Sequence, residues 1–284
     1  ITSTHSDVLF FTNKGRVYKL RAYEIPEAGR VAKGTNIINL IAIEPDERIE
    51  TVLSIRDNTK DGFLFMATKQ GIVKKTPLSD FKNLRKNGLI AINLREGDEL
   101  LKVKVTRGDA NIIIVTQNGY AVRFSEKNVR AMGRTASGVR SINLKDDDIA
   151  VCMDIAVDSE DLLIISEYGF GKRTPISEYK VQNRGGVGLI TYKISEKTGK
   201  VVGATMCNEL DELMLINSSG VAIRINVKDI SVTGRSAMGV TLMRTNEDEK
   251  VVAVAKISGS EEENVEEQID ILDDYNGKDD ILDE

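Results

Sequence analysis

The sequence predicts an all-β, propeller-like fold of repeated four-stranded units, and three observations predict it. Five segments start alike: VLFFTNKGRVYKL at Val8, FLFMATKQGIVKK at Phe63, IIIVTQNGYAVRF at Ile112, LLIISEYGFGKRT at Leu162 and LMLINSSGVAIRI at Leu213. Their turn glycines, Gly15, Gly71, Gly119, Gly169 and Gly220, stand 56, 48, 50 and 51 residues apart. A second series, Gly34, Gly88, Gly138, Gly188 and Gly239, follows at offsets of 19, 17, 19, 19 and 19 residues. Five unrelated hairpins would not keep that offset. Four-strand units repeated at such a period mark discs whose neighbouring blades bury one another's faces.

Each unit opens with an apolar run, a short polar turn containing glycine, and a second apolar run. That is a β-hairpin signature, since glycine supplies the positive φ that tight hairpin turns need. After each second glycine come two more strand-like runs, NIINLIAI then IETVLSI in the first unit and GVRSINL then IAVCMDI in the third. Four strands per unit follow, over about residues 8–55, 63–106, 112–156, 162–206 and 213–257, within one domain spanning 1–257. No helix of useful length is expected. The stretch 258–284 holds twelve acids and one lysine without periodicity, so it is expected to be a disordered acidic tail.

Composition narrows the function. The chain of 284 residues is 41% apolar, enough for a core, with no run approaching a membrane span. Its start, ITSTHSDVLF, has neither a basic leader nor an initiator Met and is read as beginning inside a longer protein. Cys152 and Cys207 lie in apolar strand-like runs, which fits reduced core residues and a cytoplasmic setting better than a disulfide framework. The single histidine, His5, leaves no Ser-His or Cys-His arrangement and no His-rich metal site. The net charge of −5 hides an asymmetry: outside the acidic tail, residues 1–257 carry 38 bases against 32 acids. A basic body with an acidic tail suits polyanion binding.

Two series of cations keep register with the glycines. Four residues after each hairpin glycine stand Lys19, Lys75, Arg123, Arg173 and Arg224, with Lys74 and Lys172 beside two of them. Four residues before the second glycine stand Arg30, Arg134, Arg184 and Arg235, and Arg85 and Lys86 take that place in the shorter second unit. Lys33 and Arg130 accompany this second series. Equivalent positions in stacked blades fall on equivalent parts of a disc. The expectation is therefore an outward arc of charge suited to phosphates, set against the plainer reading that such residues solvate the surface. Acids also recur before the last strand of four units, in PDERI, GDELL, DDDIA and NEDEKVV, while the fourth unit has SEKTGKVV; Asp side chains commonly satisfy turn backbone, and that reading is preferred to catalysis or metal binding.

The loop QNRGGVG, Gln182, Asn183, Arg184, Gly185, Gly186, Val187 and Gly188, poses a choice between a phosphate cradle and a shaped turn. Its glycines are expected to shape a surface loop and Arg184 to belong to the basic arc.

FFTNKGRVYKL, FMATKQGIVKK, VRAMGRTASGVRSI, EYGFGKRTPISEY and DISVTGRSAMGVTLMRT together resemble the C-terminal domain of the DNA gyrase A subunit, from about Thr4 to Ile257. The resemblance implies a β-pinwheel of six blades that binds double-stranded DNA on a basic rim and bends or wraps it for ATP-dependent negative supercoiling by the holoenzyme. It also implies that QNRGGVG is a degenerate copy of a QRRGGKG box, with Asn183 and Val187 replacing two basic residues, and that the box itself lies upstream of Ile1. No catalytic residue, metal or cofactor is assigned to this chain; ATP and Mg²⁺ would belong to other parts of the holoenzyme. The implied partners are DNA, the rest of the A subunit and the B subunit in an A2B2 assembly, with no membrane, in the bacterial cytoplasm at the nucleoid; the chain by itself is expected to be monomeric. The tail is expected either to compete with DNA for the rim or simply to solubilise the chain. The corresponding domain of topoisomerase IV is the nearest rival reading, and a protein-interaction propeller is a rival of a different class.

Overall fold

A computed structural model describes residues 2–29, 31–55, 61–82, 84, 87–246 and 248–259. Arg30, Arg85 and Lys86, and the acidic stretch from residue 260 onward, lie outside the described residues. The first unit contributes strands β1 (Asp7–Thr12), β2 (Arg16–Arg21) and β3 (Ile49–Ile55). The second contributes β4 (Phe63–Thr68), β5 (Ile72–Pro77), β6 (Leu89–Ile90) and β7 (Leu100–Thr106). The third holds β8 (Asn111–Thr116), β9 (Tyr120–Ser125), β10 (Val139–Arg140) and β11 (Ala150–Ile155). The fourth holds β12 (Asp161–Ser166), β13 (Phe170–Pro175), β14 (Leu189–Ile190) and β15 (Val201–Cys207). The fifth holds β16 (Glu212–Asn217), β17 (Ala222–Asn226), β18 (Val240–Thr241) and β19 (Val251–Ile257). A 3₁₀ turn follows the hairpin in every unit, at Ala22–Glu24, Leu78–Phe81, Glu126–Asn128, Ile176–Glu178 and Val227–Asp229.

The all-β prediction holds, but a unit is not a blade. The sheets run β3-β1-β2-β6, β10-β5-β4-β7, β11-β8-β9-β14, β15-β12-β13-β18 and β17-β16-β19. The first four blades thus take three strands from one unit and the fourth from the next. The physical reason is edge protection: the second hairpin strand would present unpaired N–H and C=O groups, and the short strand of the next unit covers them. The fifth blade has three strands among the described residues.

This exchange also corrects the first unit. NIINLIAI forms a 3₁₀ turn over Ile37–Asn39 instead of a strand, because no preceding blade offers it an edge among the described residues. Its apolar side chains cover the outer face of the first blade instead, with Ile41 buried beside Val8, Phe10, Tyr18 and Leu20.

The core lies at the joints between consecutive blades. Leu9, Phe11 and Val17 meet Leu64 and Met66 at the first joint, and Leu163 and Ile165 meet Leu213 and Leu215 at the last. The inner strands follow one another as β3, β7, β11, β15 and β19. Residues from all five line a central cavity of about 500 Å³. The second glycine series marks where each exchanged strand approaches the blade before it: a Cβ on Gly239 would stand 2.2 Å from the Gly171 carbonyl oxygen, whereas one on Gly34 would meet nothing within 4 Å.

The recurring acids hold turns. Asp98 Oδ1 accepts from the N–H groups of Gln70 at 2.9 Å and Glu99 at 2.8 Å. Asp148 Oδ1 accepts from Asn118 and Ile149, both at 2.9 Å. In the fourth unit, whose sequence lacks the acid, the Thr198 hydroxyl accepts from the Ser195 N–H at 3.1 Å.

Candidate nucleic-acid interface

The cations four residues after the hairpin glycines clamp each blade to the next. Lys19 Nζ donates to the Lys82 carbonyl at 3.3 Å and Lys75 Nζ to that of Glu126 at 3.0 Å. Arg123 Nη1 donates to the carbonyls of Ile176 at 3.2 Å and Tyr179 at 3.3 Å. Arg173 donates through Nε to Ile230 O at 2.8 Å and through Nη2 to Lys228 O at 3.4 Å. The acceptors sit on or just after the 3₁₀ turn of the following unit; the Glu126 and Ile176 carbonyls also close their own turns, accepting from Val129 N and Tyr179 N at 3.0 Å, and take the cation as a second donor. Carboxylates complete the joints: Asp158 lies 2.5 Å from Arg123, and Glu209 lies 2.9 Å from Arg173.

The outward arc is therefore corrected for five of its members. Lys75, Arg123 and Arg173 are each 6% exposed, and Lys74 and Lys172 are fully buried. Their periodicity reflects a repeated joint at which a buried cation donates to carbonyls of the next unit. Lys19 is half-buried on the same kind of joint. Arg224 has no following blade among the described residues; it is exposed and pairs with Glu212 of its own blade.

The second series sits on loops that lie along the preceding blade. Parallel bridges join Lys75 to Ala131, Arg123 to Val181 and Arg173 to Val232. Hydrogen bonds from Met132 N to Lys75 O at 2.8 Å, Gln182 N to Arg123 O at 2.7 Å and Thr233 N to Arg173 O at 2.9 Å fix the entry of each loop. Arg134, Arg184 and Arg235 are all half-buried. Among the described residues the Arg134 guanidinium has no hydrogen-bond or ion-pair partner, and that of Arg235 has Glu178 at 3.9 Å.

Arg184 differs. Its Nε donates to Asn128 O and its Nη1 to Arg140 O, both at 3.0 Å. The glycines around it shape the loop: Gly185 has φ +86° and donates its N–H to Ser141 O at 2.6 Å. A Cβ on Gly188 would stand 2.6 Å from Ala121 O. The Gly186 carbonyl accepts from Asn143 N at 2.8 Å. QNRGGVG is thus a shaped turn, and the N–H of Gly185 already has an internal acceptor.

Two buried lysines complete the loop region. Lys74 Nζ donates to Ala91 O at 2.6 Å and to Arg134 O. Lys172 Nζ donates to Gly234 O at 2.7 Å and Arg235 O at 2.5 Å. Burial disfavours the ammonium and pushes both groups down to about 8.

Other cations of the chain remain exposed. Lys33 and Arg130 are exposed. Arg130 belongs to a register unnoticed in the sequence, with Lys82 and Lys180, each eleven residues after a hairpin glycine and each exposed. They follow the 3₁₀ turns. Lys127, Arg140 and Lys228 are exposed as well. Among the described residues no cluster of three His, Cys, Asp or Glu could hold a metal ion, and no helix is long and apolar enough to cross a membrane. Cys152 and Cys207 are buried and unpaired.

Compared with known proteins, the chain matches the family described as "DNA gyrase C-terminal domain, beta-propeller" over residues 6–56, 62–107, 110–151, 160–208 and 211–258. It is 56% identical to the DNA gyrase A subunit of Clostridium acetobutylicum over 271 residues, covering 95% of this chain and 33% of that protein. It is 48% identical to the DNA gyrase A subunit of Staphylococcus epidermidis over 259 residues, covering 90% of this chain and 29% of that protein. The chain thus spans about a third of the length of these relatives. Its structure is similar to a crystal structure of the C-terminal domain of DNA topoisomerase IV, with TM-score 0.86 and 27% identity, covering 95% of this chain and 84% of that one. It is also similar to a DNA gyrase A C-terminal domain, with TM-score 0.78 and 30% identity, covering 90% of this chain and 84% of that one.

Proposed function

This chain belongs to the DNA gyrase C-terminal domain family, and from that premise we propose that it binds duplex DNA on its outer surface and bends it, without performing chemistry itself. The observation that carries this reading is the exposed register of Lys82, Arg130 and Lys180 on three successive units, together with the half-buried Arg134 and Arg235. Equivalent cations on successive blades follow a curved path, which fits a bent backbone; phosphate contacts give position and charge neutralisation without reading bases. Bending a short site costs roughly 1–6 kcal/mol, offset by further contacts along the rim.

The gyrase reading is preferred to topoisomerase IV because the sequence relatives at 56% and 48% identity are gyrase A subunits, while the topoisomerase IV structure shares 27%. In the larger protein this domain would hold DNA for strand passage by the A and B subunits in the bacterial cytoplasm, with ATP and Mg²⁺ handled outside it. The acidic tail competes with DNA for the same cations, so removing residues 258–284 tightens binding at low salt.

Fluorescence anisotropy with a labelled duplex tests the proposal. Neutralising about 6–10 phosphates weakens binding about 10³- to 10⁵-fold between 50 and 200 mM salt. A combined Lys82→Ala, Arg130→Ala and Lys180→Ala variant flattens that dependence. A salt-independent affinity, or a variant that binds like the parent, overturns it.

A further inference from the structure

We propose that Lys74 and Lys172 are positioning residues that anchor the loops of Arg134 and Arg235 to the preceding blade, leaving those two guanidinium groups available for phosphate. The consequence for DNA rests on the function proposed above; the anchoring rests on geometry alone.

Each lysine belongs to the second hairpin strand of one blade and reaches the main chain of the next unit. Its acceptors are chosen closely: Lys74 bonds the carbonyl of Arg134 itself, and Lys172 bonds those of Gly234 and Arg235. An ammonium offers three donors and no acceptor, so it suits converging carbonyls. Bonds from a charged donor are roughly twice as strong as neutral ones. The side chain is fully buried in both cases. Two charged groups bear on each lysine, Asp80 and Arg134 on Lys74, Glu178 and Arg235 on Lys172.

The third blade supplies an internal control. The residue three after the hairpin glycine is Lys74 in the second blade, Lys172 in the fourth and Val122 in the third. Valine has no donor. In that blade the loop arginine does the tying: Arg184 holds Asn128 O and Arg140 O with its own guanidinium. Where the lysine is present, the Arg134 guanidinium has no partner among the described residues and that of Arg235 has only a carboxylate at 3.9 Å. One chain therefore contains both arrangements, lysine with a loosely held arginine and valine with a tied one.

The test uses the 284-residue chain, with Lys74→Met and Lys172→Met compared to the parent. Hydrogen exchange should quicken at least tenfold in loops 131–138 and 232–239 respectively, and stay unchanged in loop 182–188. Each variant should lower the salt slope of duplex binding by about 1, the value of one phosphate contact. That loss should vanish when Lys172→Met is made in an Arg235→Ala background, since a residue acting through another has no effect once the other is gone. Unchanged exchange overturns the anchoring. An equal affinity loss with and without Arg235 overturns action through the arginine. Exchange that quickens in a chain whose parent shows no salt-dependent DNA binding keeps the anchoring and overturns the function it would serve.

If a methionine variant fails to fold, Lys74→Gln and Lys172→Gln, which keep a neutral amide donor, take its place: exchange in loops 131–138 and 232–239 should again quicken while loop 182–188 stays as in the parent, and exchange unchanged in both loops overturns the anchoring.

Discussion

Arg173 on the fourth blade donates through Nε to the carbonyl oxygen of Ile230 on the fifth at 2.8 Å, while its counterpart one blade later, Arg224, reaches only Glu212 of its own sheet. The same register thus yields a buried clamp in one blade and an exposed ion pair in the next. Arg173→Ala leaves buried carbonyls without donors and should destabilise the chain by about 1–3 kcal/mol. Arg224→Ala, at an exposed pair, should stay within about 0.5 kcal/mol. Urea unfolding of the two variants checks this, and equal losses would show that the clamp contributes nothing beyond a surface contact.

Arg184→Ala should act on its loop and leave phosphate contacts alone. The guanidinium already donates to Asn128 O and Arg140 O, so its removal should speed exchange in loop 182–188 while leaving the salt slope of DNA binding unchanged. Arg134→Ala should do the reverse and lower the slope by about 1. A slope loss at Arg184 matching that at Arg134 would place both on DNA.

The division between what was and was not legible follows from range. Gly169 and its partners could be read because a tight turn constrains its own residues, and the repeated offset exposed the architecture. The strand exchange could not, since nothing in Leu89–Ile90 says that its partners are Arg16 and Val17 of another unit. Lys75 and Arg123 misled for a related reason: a cation in register looks the same whether it faces water or the carbonyls of the next blade. Lys82 and Lys180 give only a weak signal in the sequence, because their register is kept in only three of the five units. At Arg30, Arg85 and Lys86 the comparison falls outside the described residues.

The second glycines should differ sharply in tolerance. Gly239→Ala places a Cβ against the Gly171 carbonyl at positive φ, so both overpacking and backbone strain apply, and the cost should reach about 2–4 kcal/mol. Gly34→Ala meets open space and bears only its φ of +72°, a cost of about 1 kcal/mol. Thermal unfolding of both variants tests whether the exchanged strand of the fifth unit needs that close approach. Equal shifts would mean that backbone conformation alone selects glycine here.

The buried thiols set an alkaline limit. Burial pushes Cys207 up to about 12 and Cys152 up as well, from an ordinary value of 9.0. The folded chain therefore keeps both thiols protonated where the unfolded chain releases its protons. Their contribution is complete below about pH 9 and declines as pH rises from there toward the folded value, by about 2 kcal/mol per thiol at pH 10.5. Lys74 and Lys172 act in the opposite sense between about 8 and 10.5, because there the unfolded chain holds the extra protons. The two effects separate by comparing the parent with a Cys152→Ala, Cys207→Ala variant in urea at pH 8 and pH 10.5. The variant should lose less stability over that interval, and neither thiol of the native parent should react with a disulfide reagent at pH 8; a parallel decline in both chains, or rapid labelling, would place the thiols in water.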